Sequence, residues 1–118
     1  MTDALPTTAF KILSRADWRA TLAEGAYDGS PVDHADGYIH LSAADQLAVT
    51  AARHYAGQDD LMLVEVDLDA LGETLVWEPS RGGALFPHIY GPLLIAATRG
   101  ARNLSVSADG EIILSENP

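Results

Sequence analysis

Apolar side chains recur at two different periods along the chain, and the switches between them mark out its elements. Thr7–Leu13 is rich in β-branched and aromatic residues, and Ala9-Phe10-Lys11-Ile12 reads as a short strand. Ser14 has the position of a helix N-cap with Asp17 three residues on, and Trp18 and Leu22 lie one turn apart on the helix that follows. Gly25 ends that helix. The run Gly37-Tyr38-Ile39-His40-Leu41-Ser42 has period two: if Ile39 and Leu41 face the core, Tyr38, His40 and Ser42 share the other face. Ser42 also offers an N-cap, with Asp45 three residues on, for a helix over 43–56 in which Leu47, Ala51 and Tyr55 recur every fourth position. Gly57 is its natural stop. Leu61–Leu68 reads as a central strand, and a turn through Asp69–Gly72 leads to another at Thr74–Glu78. Leu93–Thr98 is a further strand, and Leu104–Ser107 with Glu111–Leu114 makes a hairpin around Asp109-Gly110.

Two segments fit neither period. Gly, Asp, Ser, Pro and His dominate 25–36, which reads as a long loop of the kind that often carries function. Three glycines and three prolines fall within 79–92, which forbids a long regular element there. Phe86, Ile89 and Tyr90 in that segment are large enough to hold it in one shape. The order strand, helix, strand, helix, then mainly strands predicts an α+β fold rather than a doubly wound parallel sheet.

Composition narrows the setting. A chain of 118 residues holds one core, so residues 1–118 read as a single domain. The longest apolar stretches fall far short of a bilayer span, and the N-terminus lacks the basic and apolar regions of a signal peptide, so a cytoplasmic location is expected, with no membrane partner. Cysteine is absent, which removes disulfides and thiolate chemistry. A net charge of −10 makes nucleic acid an unfavourable partner. A small anion remains possible where Arg81 and backbone N–H groups form a local positive pocket. Oligomeric state is left open.

The candidate chemistry gathers at two places. His40 and Ser42 share a strand face, where His40 can act as acid or base and Ser42 as a hydrogen-bond donor; the plainer roles are a backbone contact and a helix cap. Glu78 ends a strand just before Arg81-Gly82-Gly83, as a general base or simply as the partner of Arg81. Gly82 and Gly83 permit close backbone approach to a ligand, but no Lys-Ser/Thr follows as in a phosphate loop. His88 and Tyr90 flank Ile89 and point the same way, bracketed by Pro87 and Pro92. The candidate catalytic set is therefore His40, His88 and Glu78. The ligand-binding set is Ser42, Arg81, Gly82, Gly83, Tyr90 and Asp36. The four histidines show no metal-ligand spacing, so no metal is expected. Ser42, His40 and Glu78 could form a hydrolase triad on paper, yet the nucleophile elbow is missing.

Asp36-Gly37-Tyr38-Ile39-His40-Leu41-Ser42 and Phe86-Pro87-His88-Ile89-Tyr90-Gly91-Pro92-Leu93, with Phe10-Lys11-Ile12, Trp18, Gly29-Ser30, Asp33 and Trp77-Glu78, strongly resemble the bacterial domain-of-unknown-function family 952. The likeness spans about residues 9–100. That family is grouped by resemblance with the ADP-ribosyltransferase-like fold, a split antiparallel sheet clasping NAD. The resemblance implies a small split antiparallel sheet with two helices, His40 in the second motif position, and His88 or Tyr90 near the third. Lys11 stands where the superfamily's first motif has His or Arg followed by Gly, and no glutamate stands beside His88. The function implied is binding of a nucleotide or phosphorylated small molecule, NAD or ADP-ribose-like, in a cleft lined by His40, Arg81 and His88, with transfer chemistry if the domain is an enzyme. The alternative is a non-enzymatic interaction or regulatory module.

Overall fold

The computed structural model describes residues 5–115, with the side chains of Arg81 and Ser115 outside that description. The first half of the chain holds strand β1 (Thr8–Ser14), helix α1 (Arg15–Glu24), β2 (Ala26–Tyr27), α2 (Pro31–Asp36), β3 (Ile39–His40) and α3 (Leu47–His54). The second half holds β4 (Leu61–Asp67), β5 (Leu75–Pro79), β6 (Leu85–Ile89), β7 (Leu93–Leu94), β8 (Thr98–Val106) and β9 (Ile112–Ser115). Short 3₁₀ segments lie at Leu68–Thr74, Arg81–Gly83 and Ile95–Ala97.

Among the described residues all strand pairs are antiparallel. One sheet has the order β1-β4-β8-β9, a second β3-β6-β5, and β2 and β7 form a two-stranded sheet. Strand β4 is apolar almost throughout because both of its faces are covered. Met62, Val64 and Val66 pack with Ile39, Leu41 and Ile89, while Leu61 and Leu63 pack with Ala51, Leu104 and Val106. The two larger sheets meet where Phe10 and Ser42 exchange backbone hydrogen bonds of 2.8 and 2.9 Å. The result is a small compact mixed α/β domain with antiparallel sheets and few helices. Among the described residues no helix is long and apolar enough to cross a membrane.

Helix α1 forms as its sequence predicts. Ser14 Oγ accepts from the Asp17 N–H at 3.0 Å, and Gly25 closes the helix at φ +88° with its N–H on the Thr21 carbonyl. Elsewhere the structure corrects the sequence. The segment 25–36 is not all loop: Ser30 and Asp33 form a reciprocal capping box with Pro31 at the helix start, giving α2 and a third helix. Ser42 does not cap a helix, because its backbone is extended and bridged to Phe10; α3 begins only at Leu47. Strand β6 runs through the proline- and glycine-rich stretch, where the Pro87 carbonyl accepts from the Leu41 N–H at 3.0 Å. The strand expected at 93–98 is two residues of β7 and a 3₁₀ turn, and β8 starts earlier than expected, at Thr98.

Candidate functional site

Register decides which side chains meet. Pairing sets Ile39 opposite Ile89 and His40 opposite His88, while Val76 faces His88 and Glu78 faces Phe86 from the other side. Alternation then places Tyr38, His40 and Ser42 on one face with Phe86, His88, Tyr90 and Glu78. Ile39 and Ile89 point into the core, at 2% and 0% exposure. Tyr38 stacks on His88 with ring centroids 4.1 Å apart and planes 24° apart, a contact worth about 0.5–1.5 kcal/mol beyond its burial. The His40 and His88 rings meet edge-on at 5.4 Å.

His88 is buried, and its Nδ1 lies 2.7 Å from Glu78 Oε1. A carboxylate only accepts, so the geometry assigns the proton to Nδ1. Tyr90 donates its hydroxyl to the same oxygen at 2.8 Å. These two bonds, His88 first, hold the Glu78 carboxyl below its ordinary value against the opposing effect of desolvation. The same bond to Glu78 raises the Tyr90 phenol. Among the described residues, no hydrogen bond engages His88 Nε2.

His40 is held from both sides. Its Nδ1 lies 2.6 Å from Asp33 Oδ1 and its Nε2 lies 2.9 Å from Asp36 Oδ2. Asp33 is the hub of this corner. Buried at 3% exposure, it receives the Ser30 N–H, the His40 N–H and the Lys11 ammonium, the last at 3.0 and 3.2 Å. Burial alone would raise the Asp33 carboxyl, but the His40 hydrogen bond and the Lys11 charge outweigh it and hold it far below the usual carboxylate range. Lys11 thus serves a buried ion pair and does not face a ligand.

A cavity of about 570 Å³ opens beside this face. Phe10 and Ile12 of β1, Phe86 of β6 and Tyr55 after α3 form its apolar walls. His40, His88, Ser42 and Asp36 also border it, so four of the sequence-chosen residues converge. Ser42 Oγ is 2.8 Å from Thr50 Oγ1. Glu78 and Tyr90 stand behind His88 rather than on the cavity. Gly82 and Gly83, at φ +71° and +84°, are exposed and do not border it, although Ser80 does. The Arg81 side chain lies outside the described residues. Asp33, Tyr38 and Thr50 were not among the chosen site residues; Ser30-x-x-Asp33 is a capping-box pattern that could have found the first. Among the described residues no group of three or more metal-ligating side chains converges.

Fold and geometry together define a small antiparallel α/β domain with a histidine–carboxylate pair at the wall of a cavity. The chain belongs to the family described as protein of unknown function DUF952, whose sequence model matches residues 12–100. It is similar to protein CC0527 from Caulobacter crescentus. The crystal structure of that protein is 50% identical over 91% of this chain and 94% of that one, with a TM-score of 0.86. Its solution NMR structure gives 51% identity over 89% and 90%, with a TM-score of 0.78. No curated protein matches the chain.

Proposed function

We propose that the domain binds a small molecule in the cavity beside His40 and His88, and that His88 is the proton acceptor there. The observation that carries this is the buried His88 ring, fixed by Glu78 through Nδ1 while its other edge borders the cavity. Glu78 does not reach the cavity, so the ring edge turned away from it, bearing Nε2, is the one a ligand meets. A carboxylate behind an imidazole fixes its tautomer and stabilises the imidazolium that forms when Nε2 takes a proton. The volume lies within the range of about 300–1,000 Å³ usual for small-molecule sites.

A nucleotide of the NAD or ADP-ribose type fits this proposal as one ligand. Its base would lie against Phe10 and Phe86 and its ribose hydroxyls would reach His88. The ADP-ribosyltransferase-like grouping is supported by two sheets that meet at Phe10 and Ser42, and is opposed by Lys11, which is spent on Asp33. A phosphorylated ligand would call on Arg81 for its anion. His40 serves as a positioning residue while Asp36 holds Nε2; a ligand that displaced the half-exposed Asp36 would gain that nitrogen.

Screening NAD, ADP-ribose and a library of ring-bearing fragments by NMR tests the proposal. His88 imidazole resonances should move with at least one compound, and His88→Phe should abolish that binding while the chain stays folded. If no compound at millimolar concentration perturbs residues of the cavity, the small-molecule site is wrong and the interaction-module alternative takes its place.

A further inference from the structure

Granting the acid–base cavity proposed above, on which this step rests, we infer that it selects its ligand by a neutral hydroxyl carried on a flat apolar body, and not by a phosphate or carboxylate. The polarity of the wall carries the argument. Nδ1–H of His88 is spent on Glu78, so Nε2 presents a lone pair and takes a hydrogen-bond donor. While the ring is neutral, an anionic oxygen placed there brings lone pair against lone pair, whereas a hydroxyl brings its own proton.

One hydroxyl of the wall is already engaged. Ser42, at 5% exposure, has its Oγ 2.8 Å from Thr50 Oγ1, so its hydroxyl is engaged before a ligand arrives. Ser42 lies two residues along from His40, on the same face of the extended backbone.

Charge points the same way. Asp33 and Asp36 border the cavity. Lys11 is locked on Asp33 at 3.0 Å and is 6% exposed. A ligand cation gains little, because both carboxylates already have partners in His40 and Lys11, and an ammonium buried without a free counter-ion is costly. The apolar walls of Phe10, Ile12 and Phe86 take the body of the ligand.

The probe is a series with one body and five heads: toluene, benzyl alcohol, benzylamine, benzoate and benzyl phosphate. Affinities are measured on the intact protein by ligand-observed NMR at mildly alkaline pH. Benzyl alcohol should bind about fivefold tighter than toluene, the worth of one net hydrogen bond, and tighter than every charged member. That advantage over toluene should vanish in His88→Phe. The ranking in the wild-type protein stands whether or not the variant folds. Tightest binding by benzyl phosphate or benzoate would overturn the inference in favour of an anion site. Tightest binding by benzylamine would overturn it in favour of a cation site. An alcohol advantage that survives in a folded His88→Phe would also overturn it. If none of the series binds while a larger compound occupies the cavity in the fragment screen, the hydroxyl rule fails and the small-molecule site stands; if nothing binds in either experiment, both fail.

Discussion

Glu78 takes hydrogen bonds from His88 and Tyr90 through the same oxygen, and the consequences are specific to that residue. Its folded-state carboxyl is held below the ordinary 4.5, so the stabilisation is complete above about that pH and is lost as pH falls through the lower folded value. The melting temperature of the wild-type protein should therefore exceed that of Glu78→Gln at neutral pH, with the margin shrinking on acidification; a margin independent of pH would refute it. The amide of Glu78→Gln donates as well as accepts, so the substitution should also release the His88 tautomer, read as a mixed population in the imidazole nitrogen shifts. Asp33 carries a larger penalty because it is the counter-ion of a buried lysine. Asp33→Asn should cost about 3–5 kcal/mol in urea unfolding, and adding Lys11→Met should recover part of it by removing the stranded charge. Equal losses in the single and double variants would show that the ion pair is not the cause.

Helix α2 shows where the amino-acid pattern was readable and where it was not. Ser30, Pro31 and Asp33 have the sequence of a helix start, but six residues make fewer than two turns and show no amphipathic period. Gly, Asp and His around them read as loop. Ser42 misled in the opposite way: Ser followed three residues later by Asp45 has a cap's spacing, yet a tertiary partner, Phe10, holds its backbone extended. Local rules cannot see such a partner. Helix α1, whose start and stop both depend on local bonds, follows its sequence closely. Two glycines of nearly equal φ separate backbone strain from crowding. A Cβ at Gly25 (φ +88°) meets nothing within 4 Å, whereas one at Gly110 (φ +89°) falls 2.8 Å from Ala52 Cβ. Gly25→Ala should cost about 1 kcal/mol and Gly110→Ala about 1–3 kcal/mol more, measured by chemical denaturation. Equal costs would mean that the β8–β9 turn yields freely from α3.

At the scale of the molecule, the site exists because two sheets are tied at a few points. Besides the Phe10–Ser42 bridge, Gln46 accepts from the Ala43 N–H at 3.0 Å and donates to the Leu85 carbonyl at 2.7 Å, strapping the approach to α3 onto β6. The alternation that gave His40 and His88 their faces is written in the sequence; the register that sets them opposite each other is not, since it depends on how strands distant in the chain align. Lys11 and Asp33 were hidden for the same reason, 22 residues apart and joined only in the fold. The central claim is that the fold delivers a histidine of fixed tautomer to a cavity wall. Imidazole nitrogen shifts of the wild-type protein at mildly alkaline pH test it most directly. The account predicts a protonated Nδ1 and a bare Nε2 in His88, with Nε2 moving when benzyl alcohol is added. A His88 protonated at Nε2, or a bare Nε2 that no cavity ligand moves, would contradict it.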